Sequence, residues 1–167
     1  MSQKNAPVAA RTLPPAVGLA ARLVVGAVLV YAGAIKAAGP AEEFALVIGG
    51  YRVLPDDMNI TLATFLPWVE LLLGWSLILG FRLKAAGAGA LALFAGFLAA
   101  LASVQARGIT LPNCGCFGDA IHFSPAQAFL VDSVLTSLAF VAFRSAPAPL
   151  SLDSWAEGGY TPPHGQR

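Results

Sequence analysis

A chain of 167 residues in which 57% are hydrophobic and 11% charged lies outside the range of soluble domains, where about a quarter of residues carry charge. Its net charge is +1 and its basic residues are scattered, which excludes a nucleic-acid footprint and leaves no nucleic-acid partner to expect. What remains is an integral membrane protein whose partner is the lipid bilayer, with loops too short for a second folded domain.

Residues 1–15 are polar, carry Lys4 and Arg11, and end in Pro14-Pro15, the pattern of a disordered arm that stops where a helix begins. The first apolar run, 16–38, is long enough to cross about 30 Å of hydrocarbon as a helix. Within it, Ala32-Gly33-Ala34 fits the small-residue pattern of signal-peptide cleavage. The run is longer than a signal core, contains Arg22 and precedes three more apolar runs, so the expectation is an uncleaved span.

The connector from Gly39 to Asn59 carries Glu42 and Glu43 ahead of Phe44, Leu46, Val47, Ile48 and Tyr51. Acids early and apolar residues over about three turns predict a short helix lying in the membrane interface, closed by Gly49-Gly50 and then Pro55. The second span, 60–80, contains Trp68 and Glu70. Gly80-Phe81-Arg82-Leu83-Lys84 is so short that it predicts a tight antiparallel hairpin into the third span, 85–106. In that span Ala92, Gly96 and Ala100 recur at every fourth position, a small-residue stripe read as a close helix-packing face within the chain.

A polar break, Arg107 to Ser124, holds Pro112, Cys114, Cys116, Asp119 and His122. Ser124 then reads as the N-cap and Pro125 as a first-turn residue of the fourth span, 126–143. The tail, 144–167, is rich in Pro, Ser and Gly and is expected to be disordered. The fold class is therefore all-α: an integral membrane four-helix bundle over residues 16–143 with a short interfacial helix between spans one and two.

Charges inside the spans need partners. Glu70 is expected either to be protonated or to pair with Arg22, and Asp132 is expected to approach Lys36. A helix-locking polar contact is one reading of these groups, and a proton relay or quinone site the other, with Trp68 as a pocket wall or a plain packing residue. Lys and Arg counts orient the bundle. The side holding both termini and the central hairpin has Lys4, Arg11, Arg82, Lys84, Arg144 and Arg167, against Lys36, Arg52 and Arg107 opposite. Both termini are then cytoplasmic, and the cysteine loop faces a compartment that permits disulfides, in a bacterium the periplasm.

Cys114 and Cys116 are the chain's two cysteines. So small a ring, closed across Gly115, constrains almost no unfolded chain, which makes stabilisation a poor purpose and redox exchange the better one. Two free thiols or one inert disulfide are the alternative. A metal site from Cys114, Cys116 and His122 lacks a fourth ligand and has the wrong spacing for zinc, so no metal is expected. His122 reads as a proton acceptor or a solvated loop residue.

Gly33 to Lys36, Tyr51-Arg52 with Leu54-Pro55, Pro67-Trp68 with Glu70, and Cys114-Gly115-Cys116-Phe117-Gly118 together resemble the MauE/DoxX family of redox-associated membrane proteins, on its MauE branch. The resemblance covers roughly residues 22–143 and implies a bundle similar to that of DoxX and the vitamin K epoxide reductase type. It further implies that Cys114 and Cys116 exchange disulfides with a periplasmic thioredoxin-like protein or disulfide-containing client. That client is the small subunit of methylamine dehydrogenase if the role in methylamine metabolism carries over. The chain departs from the quinone-linked relatives in having no C-x-x-C and no second cysteine pair, so a partner protein or a quinone has to reset the first pair. No cofactor is certain, and a quinone is the candidate. The alternative function is a non-enzymatic scaffold or quinone-linked subunit of an electron-transfer complex, with structural cysteines.

Overall fold

The computed structural model describes residues 15–109, 124–145 and 151–153. Five helices form among them: α1 (Pro15–Ala38), α2 (Ala41–Gly50), α3 (Asp56–Leu79), α4 (Leu83–Ala106) and α5 (Pro125–Arg144). All but α2 are long and apolar enough to cross a membrane. Many of their outward side chains are large and apolar, among them Val24, Phe65, Leu72, Trp75, Val134 and Phe140. So broad an apolar surface is unlike that of a water-soluble monomer and suits contact with lipid. The protein is a multi-pass membrane helical bundle.

The expected spans are present, with shifted starts. α3 begins at Asp56, four residues before the expected 60, because Pro55 takes the N-cap position and Asp56 and Asp57 suit the positive end of the helix dipole. At α5 the expected cap is in place: Ser124 Oγ accepts from Gln127 N–H at 3.3 Å, and Ser124 N–H donates to Gln127 Oε1 at 3.0 Å, a reciprocal capping box. Several hydroxyls within the spans bond back to backbone oxygens one turn earlier, as Ser76 does to Leu72 and Thr136 to Asp132, which satisfies them where lipid offers no partner.

The central contact is α1 against α3. A Cβ on Gly26 would lie 2.9 Å from Gly74 O, one on Gly74 would lie 2.8 Å from Gly26 O, and one on Gly33 would lie 2.7 Å from Pro67 O. Backbone therefore meets backbone along this antiparallel crossing, the geometry that small residues allow where lipid supplies no hydrophobic drive between helices. Val25 and Leu29 of α1, Leu77 of α3, Ala90 and Phe94 of α4, and Leu135 and Ala139 of α5 fill the shared core.

Within the carboxy-terminal stretch, Ser151 to Asp153 dock on the α3–α4 turn. Asp153 Oδ1 accepts from Arg82 N–H at 2.8 Å and Oδ2 from Leu83 N–H at 2.9 Å, while Asp153 N–H donates to Gly80 O at 3.2 Å. The carboxylate thus caps α4, whose own N-cap residue, Arg82, offers no side-chain bond. Gly80 closes α3 in the left-handed region (φ 74°), and a Cβ there would meet Ser151 at 2.6 Å, so only glycine suits both the turn and the docked tail.

The backbone N–H groups of Leu83 and Arg82 hold the Asp153 carboxyl below the ordinary carboxylate range. A depressed folded value means that this contact contributes fully above the unfolded value and is lost as pH falls through the folded one. In detergent-solubilised protein, the amide proton shifts of Arg82 and Leu83 are expected to move together in that acid window, and to stay flat with pH in Asp153→Ala.

Candidate functional site

Two features share the half of the bundle roofed by α2: a buried charged pair and an apolar cavity. Lys36 Nζ donates to Glu70 Oε1 and Oε2, each at 2.8 Å, with both side chains 1% exposed. Lys36, not Arg22, is therefore the partner of Glu70. Two facts of helix geometry account for the correction. Arg22 is about 21 Å away from Lys36 along α1, and the antiparallel register sets it beside Gly80, whose Cβ would lie 3.1 Å from Arg22 Nη1. Helical side chains also lean toward the helix N-terminus, so Lys36 reaches back to the level of Gly33. There the missing Cβ of Gly33 admits Glu70, whose own Cβ would be 3.1 Å from it.

Asp132, expected beside Lys36, is buried on α5 and shares a small gap with Glu70, Phe94, Phe97 and Leu135. The Lys36 ammonium itself is committed to Glu70. Trp68 is 59% exposed and belongs to the outward face of α3, as its offset of two residues from Glu70 requires. It is not a pocket wall.

The cavity holds about 300 Å³ and lies beneath α2. Phe44, Val47 and Ile48 of α2 and Tyr51 at its C-cap roof it, Leu62 and Leu66 of α3 form one side, and Ala92, Gly96, Phe97 and Ala100 of α4 form the other, with Lys36 as its charged member. Lys36 Nζ stands 5.6 Å from the Phe44 ring and 6.0 Å from the Phe97 ring, both within cation–π range. The stripe read as a packing face is instead a cavity wall: a Cβ on Gly96 would meet nothing within 4 Å. Small residues here leave room, while the tight approach of helices falls to Gly26, Gly33 and Gly74.

Arg107 fixes the roof to α4. Its guanidinium donates to Arg52 O at 2.9 Å, to Tyr51 O, and to Ser103 Oγ at 2.9 Å, and its Nε donates to Ser103 O at 3.0 Å. Arg52 turns the chain out of α2 at φ 50°. Asn59 of α3 sits under Gly49 of α2, where the missing Cβ would be 3.2 Å from Asn59 Nδ2. The sequence reading gave Phe44, Tyr51, Phe97 and Arg107 no site role. An arginine one residue beyond the end of α4 was the available signal for the clamp, and counting it only for topology hid it.

α4 and α5 end and start on this same side of the bundle, and the C-G-C element lies in the chain between them. Cys114, Cys116 and His122 are outside the described residues.

The model of the family described as methylamine utilisation protein MauE matches residues 14–145, which takes in every helix above. The chain belongs to the MauE family. A MauE protein of Paracoccus denitrificans is 37% identical over 136 residues, which are 79% of this chain and 73% of that protein. A MauE protein of Methylophilus methylotrophus is 33% identical over 138 residues, 83% of this chain and 72% of that protein. No solved structure matches the chain. For this MauE-family member, the cavity under α2 and its Lys36–Glu70 pair are the built site among the described residues.

Proposed function

We propose that the protein is a cytoplasmic-membrane component of methylamine utilisation that exchanges disulfides, through Cys114 and Cys116, with a protein outside the cytoplasm and so assists that protein's maturation. The observation that carries the reading is the C-G-C element in the polar break after α4, in a chain of the MauE family. In one direction a cysteine thiolate attacks a client disulfide and releases a client thiolate. The second cysteine then attacks the mixed disulfide, which leaves Cys114 and Cys116 oxidised and the client reduced by two electrons. In the other direction a client thiolate attacks the Cys114–Cys116 disulfide and the same steps oxidise the client. In the first direction a reduced thioredoxin-like protein or a quinol returns two electrons to the pair, and in the second an oxidised thioredoxin-like protein or a quinone removes them.

The orientation, with both termini cytoplasmic and the cysteines in the periplasm, is supported by the charge count. Lys36 leaves that count because its ammonium is paired inside the bundle, so the outer side is left with Arg52 and Arg107 as flanking cations.

The test is trapping. Cys116→Ser, expressed in cells growing on methylamine, is expected to accumulate a covalent adduct with a periplasmic protein on non-reducing gels. The adduct should vanish on reduction and be absent from the Cys114→Ser, Cys116→Ser double variant. Full growth of that double variant on methylamine would overturn the exchange reading in favour of a scaffold with structural cysteines.

A further inference from the structure

Three ionisable side chains from three helices come together inside the spans, and their full charges do not sum to zero. Lys36 of α1 and Glu70 of α3 form the ion pair, and Asp132 of α5, 3% exposed, lines with Glu70 a gap of about 10 Å³. α1 contributes Leu29 and Ala32 to that gap, α5 adds Leu135, and α4 brings Phe94 and Phe97 but no charge. Arg22, the other basic residue of α1, is about 21 Å from Lys36 along the helix. Among the described residues, two acids therefore share one cation here.

Two carboxylates against one ammonium would leave a buried negative charge, which a lipid-enclosed bundle tolerates poorly. One bound proton removes the imbalance. The ion-pair geometry says which acid holds it. Lys36 Nζ donates to both Glu70 oxygens at 2.8 Å, a contact that uses each of them as an acceptor and so keeps Glu70 as the carboxylate. The proton falls to Asp132, whose carboxyl then becomes a hydrogen-bond donor.

The gap supplies what that donor needs. A volume of about 10 Å³ is close to the space one water requires, and a void stays dry where its walls are apolar throughout. Two carboxyl groups line this one, so a water in it has two polar partners: it accepts from the Asp132 O–H and donates to the Glu70 carboxylate.

We propose that Asp132 carries a proton and that a single water in this gap links it to Glu70, so that Lys36, Glu70 and Asp132 form a proton-binding site within the membrane. The proton has a path through that water. An O–H bond breaks at Asp132 as one forms on the water, another breaks on the water as one forms at Glu70, and the cluster keeps its total charge. The site rests on the buried charges alone and stands or falls apart from the cysteine chemistry above.

Solid-state NMR of the full-length protein in lipid bilayers at pH 7, with carbon-13 in the Asp and Glu carboxyl groups, tests both halves of the proposal. Exposed acids ionise near pH 4 and report the carboxylate form there. The Asp132 carboxyl carbon is expected at the shift of a protonated acid and Glu70 at that of a carboxylate. Asp132 should also receive magnetisation from water protons, although its side chain is closed to bulk solvent. Asp132→Asn, neutral and of the same size, should abolish the protonated-acid resonance and so assign it; if that variant does not fold, backbone correlations in the parent assign it instead. An ionised Asp132, or a protonated Glu70 beside it, would overturn the proposal. So would a protonated Asp132 that receives nothing from water, since the gap would then be dry.

Discussion

Lys36→Met alone is expected to lower the unfolding free energy by about 3–5 kcal/mol, because it leaves the Glu70 carboxylate buried with no counter-charge. Glu70→Leu alone should cost a similar amount by stranding the ammonium. The double variant, Lys36→Met with Glu70→Leu, should recover to within about 1–2 kcal/mol of the parent, since well-packed apolar residues replace a buried ion pair at little cost. Reversible detergent titration in mixed micelles measures all of these. Additive losses in the double variant would mean that the two side chains do not act as a pair. Restored stability with lost activity in the double variant would assign the pair to chemistry, because apolar side chains would hold the helices equally well. Retention of so costly a pair in a lipid-embedded bundle is otherwise hard to justify on stability grounds.

What the sequence made legible was whatever depends on local pattern. Span number, the interfacial helix and the Ser124 cap follow from apolar run length, from the order of acids and apolar residues in 41–51, and from a Ser-Pro pair, each of which lies within one continuous stretch of chain. Partner choice inside the bundle was not legible in this way. Glu70 had two basic candidates on α1, Arg22 and Lys36, and the decision rests on the α1–α3 register, set by where Gly26, Gly33 and Gly74 let backbones touch. The same gap explains Ala92, Gly96 and Ala100. Small residues at every fourth position are compatible with a tight crossing or a void, and only the neighbours that α2 and α3 bring to that face separate the two. The tail contact of Asp153 joins residues 70 or more apart in sequence through backbone donors, which leave no side-chain signature to read.

Gly74→Ala and Gly33→Ala are expected to destabilise the bundle by about 1–3 kcal/mol each, the cost of overpacking a close contact. On Gly74 the new Cβ would lie 2.8 Å from Gly26 O and 2.9 Å from Val30 N, and on Gly33 it would lie 2.7 Å from Pro67 O. Those neighbours are backbone atoms of another helix, which cannot rotate out of the way as a side-chain tip can, so α1 and α3 have to part. Parting them stretches the contact at Lys36 and Glu70, which Gly33 brings to the same level, and this couples the crossing to the charged pair. Gly96→Ala supplies the control. Its Cβ enters open space, and the helix gains from losing a glycine, so it is expected to be neutral or more stable by up to about 1 kcal/mol. The same detergent titration ranks the three variants, and combining Gly33→Ala with Lys36→Met should cost less than the sum of the two, because the first has already weakened what the second removes. Equal effects at Gly33, Gly74 and Gly96 would show that helix propensity rather than backbone proximity governs these positions, and additive costs at Gly33 and Lys36 would uncouple the crossing from the ion pair.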